Sequence, residues 1–110
     1  MSNQYKSVTA IDVGTAGTII YTAPALKDTL FIQLDIATTE SSGVSVDVIF
    51  HDSSAGIDVY WAKQAPVAVG GTLQVIDGQK CILESGDYIK VVSSVVASVH
   101  VIASCIEDIN

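Results

Sequence analysis

The feature that most constrains this chain is an alternation of apolar and polar residues with a period of two, recurring in segment after segment. A β-strand sends successive side chains to opposite faces, so each such segment predicts a strand with one face toward a core. In "DTLFIQLDIAT" the pattern places Leu30, Ile32, Leu34 and Ile36 on one face and Phe31, Gln33 and Asp35 on the other. In "GVSVDVIFHDS", Val44, Val46, Val48 and Phe50 alternate with Ser45, Asp47, Ile49 and His51. After the turn cluster "DSSAG", "IDVYWAK" sets Ile57, Val59 and Trp61 against Asp58 and Tyr60, which assigns Trp61 to the core.

The rest of the chain follows the same rule. "YKSVTAIDV" and "GTIIYTA" predict strands interrupted by "GTAG", and "DYIKVVSSV" and "SVHVIASCIE" predict the last long strands, linked near Val96 and Ala97. "GGTLQVIDGQKCILE" predicts two short strands around Asp77-Gly78, a dipeptide that takes the positive φ values of a tight hairpin turn. In "CILESGDYIKVVSS", Gly86 supplies the backbone freedom of a turn and Asp87 a side chain that can bond back to the main chain. No segment carries a helical stripe. About eight strands at roughly ten-residue spacing predict an all-β chain: one antiparallel β-sandwich or jelly-roll-like domain over residues 1–110, with a small barrel as the alternative. Residues 1–4 are expected to form a flexible N-terminal arm.

Composition narrows the partners. At 110 residues the chain is the size of one domain, and 49% apolar against 15% charged residues supplies the apolar area that ordering requires. Five Lys against twelve acidic residues give a net charge of −7, and arginine, the bidentate partner of phosphate, does not occur. Nucleic acid and anionic membranes are therefore disfavoured partners. The start "MSNQYKS" lacks the pattern of a signal peptide and no apolar run reaches the length of a membrane span, so the expected place of synthesis and folding is the cytosol. There, Cys81 and Cys105 are more often reduced thiols than a disulfide, although the two can pair.

Residues able to do chemistry are few. His51 beside Asp52, and His100 between Val99 and Val101, have neither a nucleophile elbow nor an orienting third group in sequence, and read as surface or interface residues. "HDSSAGID" brings His51, Asp52 and Asp58 round one loop, but the spacing fits neither calcium nor zinc patterns and reads as a solvated turn. Carboxylate pairs such as Glu84 with Asp87, or Glu107 with Asp108, are expected by chance among twelve acids. Gly70-Gly71 and Gly86 open no phosphate-binding loop. The expectation is a non-enzymatic protein with no catalytic residue, metal or cofactor.

The polar sides of the strands are instead interrupted by apolar residues: Phe31, Ile49, Tyr60, Val92, Ile102 and Ile106. Several such residues on successive strands predict either a self-association patch or the second face of a sheet buried on both sides. The candidate interface residues are Phe31, Ile49, His51, Tyr60, Ile102 and Ile106.

The stretch "VAVGGTLQVIDGQKCILESGDYIKVVSSVVASVHVIASCIEDI" resembles the C-terminal halves of small virion structural proteins of tailed bacteriophages, particularly those of cyanobacterial and marine hosts. The matching residues are Gly71, Leu73, Val75, Ile76, Leu83, Gly86, Asp87, Ile89 and Val91, then Val99, Val101 and Ile106-Glu107. Upstream, "TIIYTAPAL" and "VDVIFHDSSAGIDVYWA" are similar to the early portion of such proteins. The resemblance implies a β-sandwich on the virion surface, assembled in the host cytoplasm, that decorates or cements the major capsid protein, or joins a neck, tail or vertex to its fibres. It also implies a homotrimer and no catalytic residues. From a different class, a carbohydrate-binding sandwich would need an exposed aromatic platform, which the inward assignment of Trp61 disfavours.

Overall fold

The computed structural model describes residues 4–108, without the side chains of residues 77–80. Among the described residues there is no helix, and eight strands run β1 (Gln4–Val13), β2 (Thr18–Thr22), β3 (Thr29–Thr38), β4 (Val44–Asp52), β5 (Ile57–Val67), β6 (Thr72–Leu83), β7 (Tyr88–Ser93) and β8 (Val99–Glu107). Residues 1–3 of the expected arm lie outside the described residues, while Gln4 already begins β1 and pairs with Glu107.

The strands form two four-stranded antiparallel sheets, a first in the order β1-β8-β3-β6 and a second in the order β2-β7-β4-β5. β1 pairs with β8, β2 with β7, β3 with β6 and β4 with β5. The chain is thus one long hairpin, closed at the β4–β5 turn and rolled so that its pairs fall alternately into the two sheets. That is the jelly-roll wind, and the alternation of apolar residues is what lets each sheet bury one face against the other. The fully buried interior includes Phe31, Leu34 and Ile36 of β3, Val46 and Val48 of β4, Ile76 and Leu83 of β6, Ile89 and Val91 of β7, and Val13 and Val99.

β3 departs from simple alternation. Phe31 and Gln33 oppose Cys105 and Ser104 of β8, so β3 advances two residues while its partner advances one. Ile32 is the extra residue of a β-bulge, and it inverts the facing of everything before it. Thr29 and Phe31 turn inward with 0% exposure, Leu30 turns outward, and beyond the bulge Leu34 and Ile36 again point in. The outward placement of Phe31 expected from periodicity is therefore wrong. Its ring packs edge-on to Tyr21 with centroids 5.1 Å apart, inside the core.

Two further expectations are corrected. Asp77-Gly78 does not close a hairpin: β6 runs unbroken from Thr72 to Leu83, with both halves paired to β3. Between the pairs Phe31–Cys81 and Gln33–Asp77, β6 advances four residues while β3 advances two, so the dipeptide lies at an irregularity of the ladder and not in a turn. Trp61 is only half-buried, because β5 is an edge strand and Ile57, Val59 and Tyr60 along it are exposed. The indole leans edge-on against Phe50, with centroids 6.1 Å apart, at the margin of the core.

The bulge makes a prediction that simple alternation reverses. Phe31→Ala should cost about 3–5 kcal/mol in chemical denaturation and Leu30→Ala about 1 kcal/mol or less; equal costs, or a larger one at Leu30, would show that the register is wrong.

Candidate functional site

The six candidate interface residues do not form one patch. Phe31 lies in the core, Ile102 and Ile106 lie on the outer face of the first sheet, and Ile49, His51 and Tyr60 lie on the outer face of the second.

On the first sheet, register gathers a larger apolar surface than alternation alone can reveal. Tyr5 of β1 opposes Ile106 of β8, Ile106 opposes Leu30 of β3, and Leu30 opposes Ile82 of β6. One row of outward apolar side chains therefore crosses all four strands. Tyr5 is 79% exposed and Ile82 55%, with Leu30 and Ile106 half-buried between them. Beside the row, Ile32 helps line a shallow groove of about 360 Å³ with Tyr5, Ser7 and Ser104. Further along, Ile102 is 57% exposed opposite Asp35. Leu30 escapes the sequence reading because of the β3 bulge, and Ile82 because its segment reads as the second arm of a hairpin. Tyr5 sits in the alternating segment of β1, but only strand order places it beside Ile106.

The outer face of the second sheet is mixed. Ile19, Lys90, Ile49 and Tyr60 follow one another across its four strands. The Lys63 ammonium stands 4.2 Å from the centroid of the Tyr60 ring. In the next row His51 stacks on Tyr88, with centroids 4.5 Å apart, and its Nδ1 lies 2.6 Å from Asp58 Oδ1. Where β5 and β6 form the open margin of the sandwich, Phe50, Asp52, Val59, Tyr60, Trp61 and Cys81 line a groove of about 440 Å³. The half-exposed Trp61 is thus part of a surface feature that its expected burial had ruled out.

The charged residues of "HDSSAGID" serve the turn between β4 and β5. Asp52 Oδ1 accepts from the Ser54 hydroxyl at 2.8 Å and from the Ala55 N–H at 3.4 Å, while the Asp52 carbonyl accepts from Gly56 N–H at 2.8 Å. Among the described residues no group of three His, Cys, Asp or Glu side chains is placed to hold a metal ion. His100 is exposed, with Nε2 3.7 Å from Asp12 Oδ1.

Asp87 is buried, 3% exposed, and its carboxylate ties loops together. Oδ2 accepts from the Glu84 N–H at 2.9 Å across its own turn, and Oδ1 accepts from the Ser53 N–H at 2.9 Å in the β4–β5 turn. The Ser53 hydroxyl lies 3.1 Å both from Asp87 Oδ1 and from the Ser85 carbonyl. The Asp87 backbone carbonyl takes the Ala23 N–H at 2.8 Å from the β2–β3 loop, and Gly86 N–H returns to Ala23 O at 3.2 Å. Gly86 has φ of 88°, and a Cβ there would stand 2.9 Å from the Ser53 hydroxyl oxygen, so both the turn and the close approach require glycine.

Elsewhere, Tyr21 donates its hydroxyl hydrogen bond to Glu107 and lies 3.0 Å from the Thr29 hydroxyl. Burial, then the bond to Glu107, push the phenol far above its ordinary range. Burial first, with the charge of Asp87 adding for Cys81 and that of Glu107 for Cys105, raises each thiol to about 11. Thiols so protonated near neutrality are poor nucleophiles. Both are free, and they sit opposite Phe31 on its two neighbouring strands. Two strand spacings put their backbones roughly 10 Å apart, beyond the reach of a disulfide.

No protein-family model, curated protein or solved structure matches this chain.

Removing the buried Asp87 carboxylate takes the acceptor from the part-buried N–H groups of Glu84 and Ser53 and unties their two turns, so Asp87→Ala should lower stability by about 1–3 kcal/mol. Urea denaturation measures this, and a loss under about 0.5 kcal/mol would reduce the carboxylate to a surface turn residue.

Proposed function

We propose that this chain is a non-enzymatic structural protein of a bacteriophage virion, a decoration or cement protein that reinforces contacts between major capsid subunits on the virion surface. The observation that supports this best is the row Tyr5–Ile106–Leu30–Ile82, an apolar strip crossing the full width of a sheet. Contiguous apolar surface of this kind marks an association site more often than a solvated face. The resemblance of the Gly71–Glu107 stretch to phage virion proteins points to the same role.

In mechanism the sandwich acts as a rigid block. Its buried polar groups are used to fix turns, as at Asp87, so the outer faces are held in place before a partner arrives and little ordering entropy is lost on docking. Binding to the assembled lattice in preference to free subunits stabilises the shell by mass action. Mixed with undecorated capsids, the protein should co-sediment with them and raise their melting temperature; a supernatant-only protein and an unchanged melting temperature would reject the capsid role. Copy number then separates cement, abundant on every particle, from an adaptor at neck, tail or vertex, present in far fewer copies.

A second reading is favoured by the β5–β6 groove, where Tyr60 and Trp61 present aromatic surface beside Asp52. Aromatic faces with a nearby carboxylate suit the CH face and hydroxyls of a sugar ring, the chemistry of a carbohydrate-binding module. Under the virion reading a glycan array stays blank; defined hits that disappear in Tyr60→Ala would move the assignment to carbohydrate binding.

A further inference from the structure

We propose that the hollow around Ala37, on the outer face of the first sheet, receives an arginine side chain from a partner protein, with the Asp35 carboxylate as its counter-ion. Register builds the hollow. Ala37 of β3 lies between His100 of β8 and Thr72 of β6, and in the next row Asp35 lies between Ile102 and Gln74. A methyl group among larger neighbours leaves a depression of about 220 Å³, lined by Asp35, Ala37, Thr72, His100 and Ile102. It lies at the other end of β3 from Leu30 and the apolar row. Small-molecule pockets run from about 300 to 1,000 Å³, so this one has room for the end of a single side chain and not for a cofactor.

The polar chemistry of the hollow asks for a cation. Asp35 is half-buried, and among the described residues its carboxylate has one donor: Oδ2 accepts from Gln33 Nε2 at 2.6 Å, while Oδ1, out of contact with solvent, accepts from none. A buried carboxylate oxygen left unpaired is costly, and a ligand that donates to it relieves that cost. Gln33 is exposed and bonds only two residues along its own strand, so its amide can swing aside without disturbing the ladder. A donor that replaces it gains both oxygens. Exposed Asp12, with Oδ1 3.7 Å from His100 Nε2, adds a second acid at the rim.

Among cations the guanidinium fits best. Its planar fork meets a carboxylate with two parallel N–H bonds, and it is more weakly hydrated than an ammonium, so it enters a dry site at less cost. Its apolar stem can lie along Ile102, which is 57% exposed. This chain contains no arginine, so the occupant is a different protein and not a second copy. A net charge of −7 draws such a basic segment toward the surface before the hollow selects the side chain. The inference goes beyond the virion reading and requires no capsid.

The test is an NMR titration of the isotope-labelled chain, without capsids, with acetyl-Ala-Arg-Ala-amide and with counterparts carrying lysine or citrulline, the neutral isostere of arginine. The arginine peptide should shift the amide signals of Asp35, Ala37, Thr72, His100 and Ile102 with a Kd on the order of 1 mM. The lysine peptide should bind about fivefold more weakly, and the citrulline peptide should leave the signals in place. Asp35→Asn keeps the shape and removes the charge, so it should weaken arginine binding about tenfold or more. It should leave the melting temperature unchanged or raised, where an Asp35 that served only the fold would lose stability. Gln33→Ala removes the competing amide and should tighten binding. The inference is overturned by absent shifts, by shifts scattered over the acidic surface, by a lysine or citrulline peptide that binds as tightly, or by binding that survives Asp35→Asn. A chain that takes the arginine peptide but ignores capsids would sink the virion role alone, and one that binds capsids but not the peptide would sink this inference alone.

Discussion

The single inserted residue in β3 is the constraint on which both the inside and the outside of this protein depend. β3 lies between β8 and β6 in the first sheet, so its facing is imposed on both neighbours. With Ile32 bulged, Phe31 joins Leu34 and Ile36 in the core while Leu30 meets Ile106 and Ile82 outside. Without it, a period-two strand would put Leu30 inside and Phe31 out, and the outer row would be broken at its centre. A bulge locally disrupts ladder pairing and adds twist; here it lets one strand serve two surfaces with different demands.

The loops follow a similar economy. A jelly roll needs many crossings at its two ends, and each exposes backbone groups that must find partners. At one end Asp87 gathers the β4–β5 and β6–β7 turns through its carboxylate and the β2–β3 loop through its carbonyl. At the other end Ser98 does so: its carbonyl accepts from the Thr39 N–H at 2.9 Å and the Thr38 hydroxyl at 3.0 Å, and its N–H donates to Val13 O at 3.0 Å. Two short polar residues thus hold most of the connections, and the sheets between them can be almost purely apolar inside.

The legible and illegible parts of the fold divide along this physics. β7 and β8 keep strict alternation, and their inward residues Ile89, Val91, Val99 and Val101 are where periodicity puts them. The Gly86-Asp87 turn was readable because its chemistry is local, although the reach of Asp87 to Ser53 was not. β3, Asp77-Gly78 and Trp61 were misread for three different reasons: a bulge shifts parity, a Gly step suits an irregular ladder as well as a turn, and an edge strand cannot bury both flanks. Of the candidate interface residues, Ile102 and Ile106 lie on the outer face where alternation puts them, but joining Ile106 to Tyr5, Leu30 and Ile82 requires strand order, which no local pattern encodes.

The place of β8 also bears on how the chain acquires its structure. This strand is the last of the eight in sequence, yet it lies between β1 and β3 and bonds to both. Until Val99–Glu107 has left the ribosome, β1 has no partner in its sheet, and one side of β3 presents an unpaired ladder. Closing that gap joins residues about a hundred positions apart, as in the pair Gln4–Glu107, with the loop-closure cost that makes such folds slow. The first sheet is therefore completed only by its last strand in sequence, with a sticky half-sheet as its intermediate hazard.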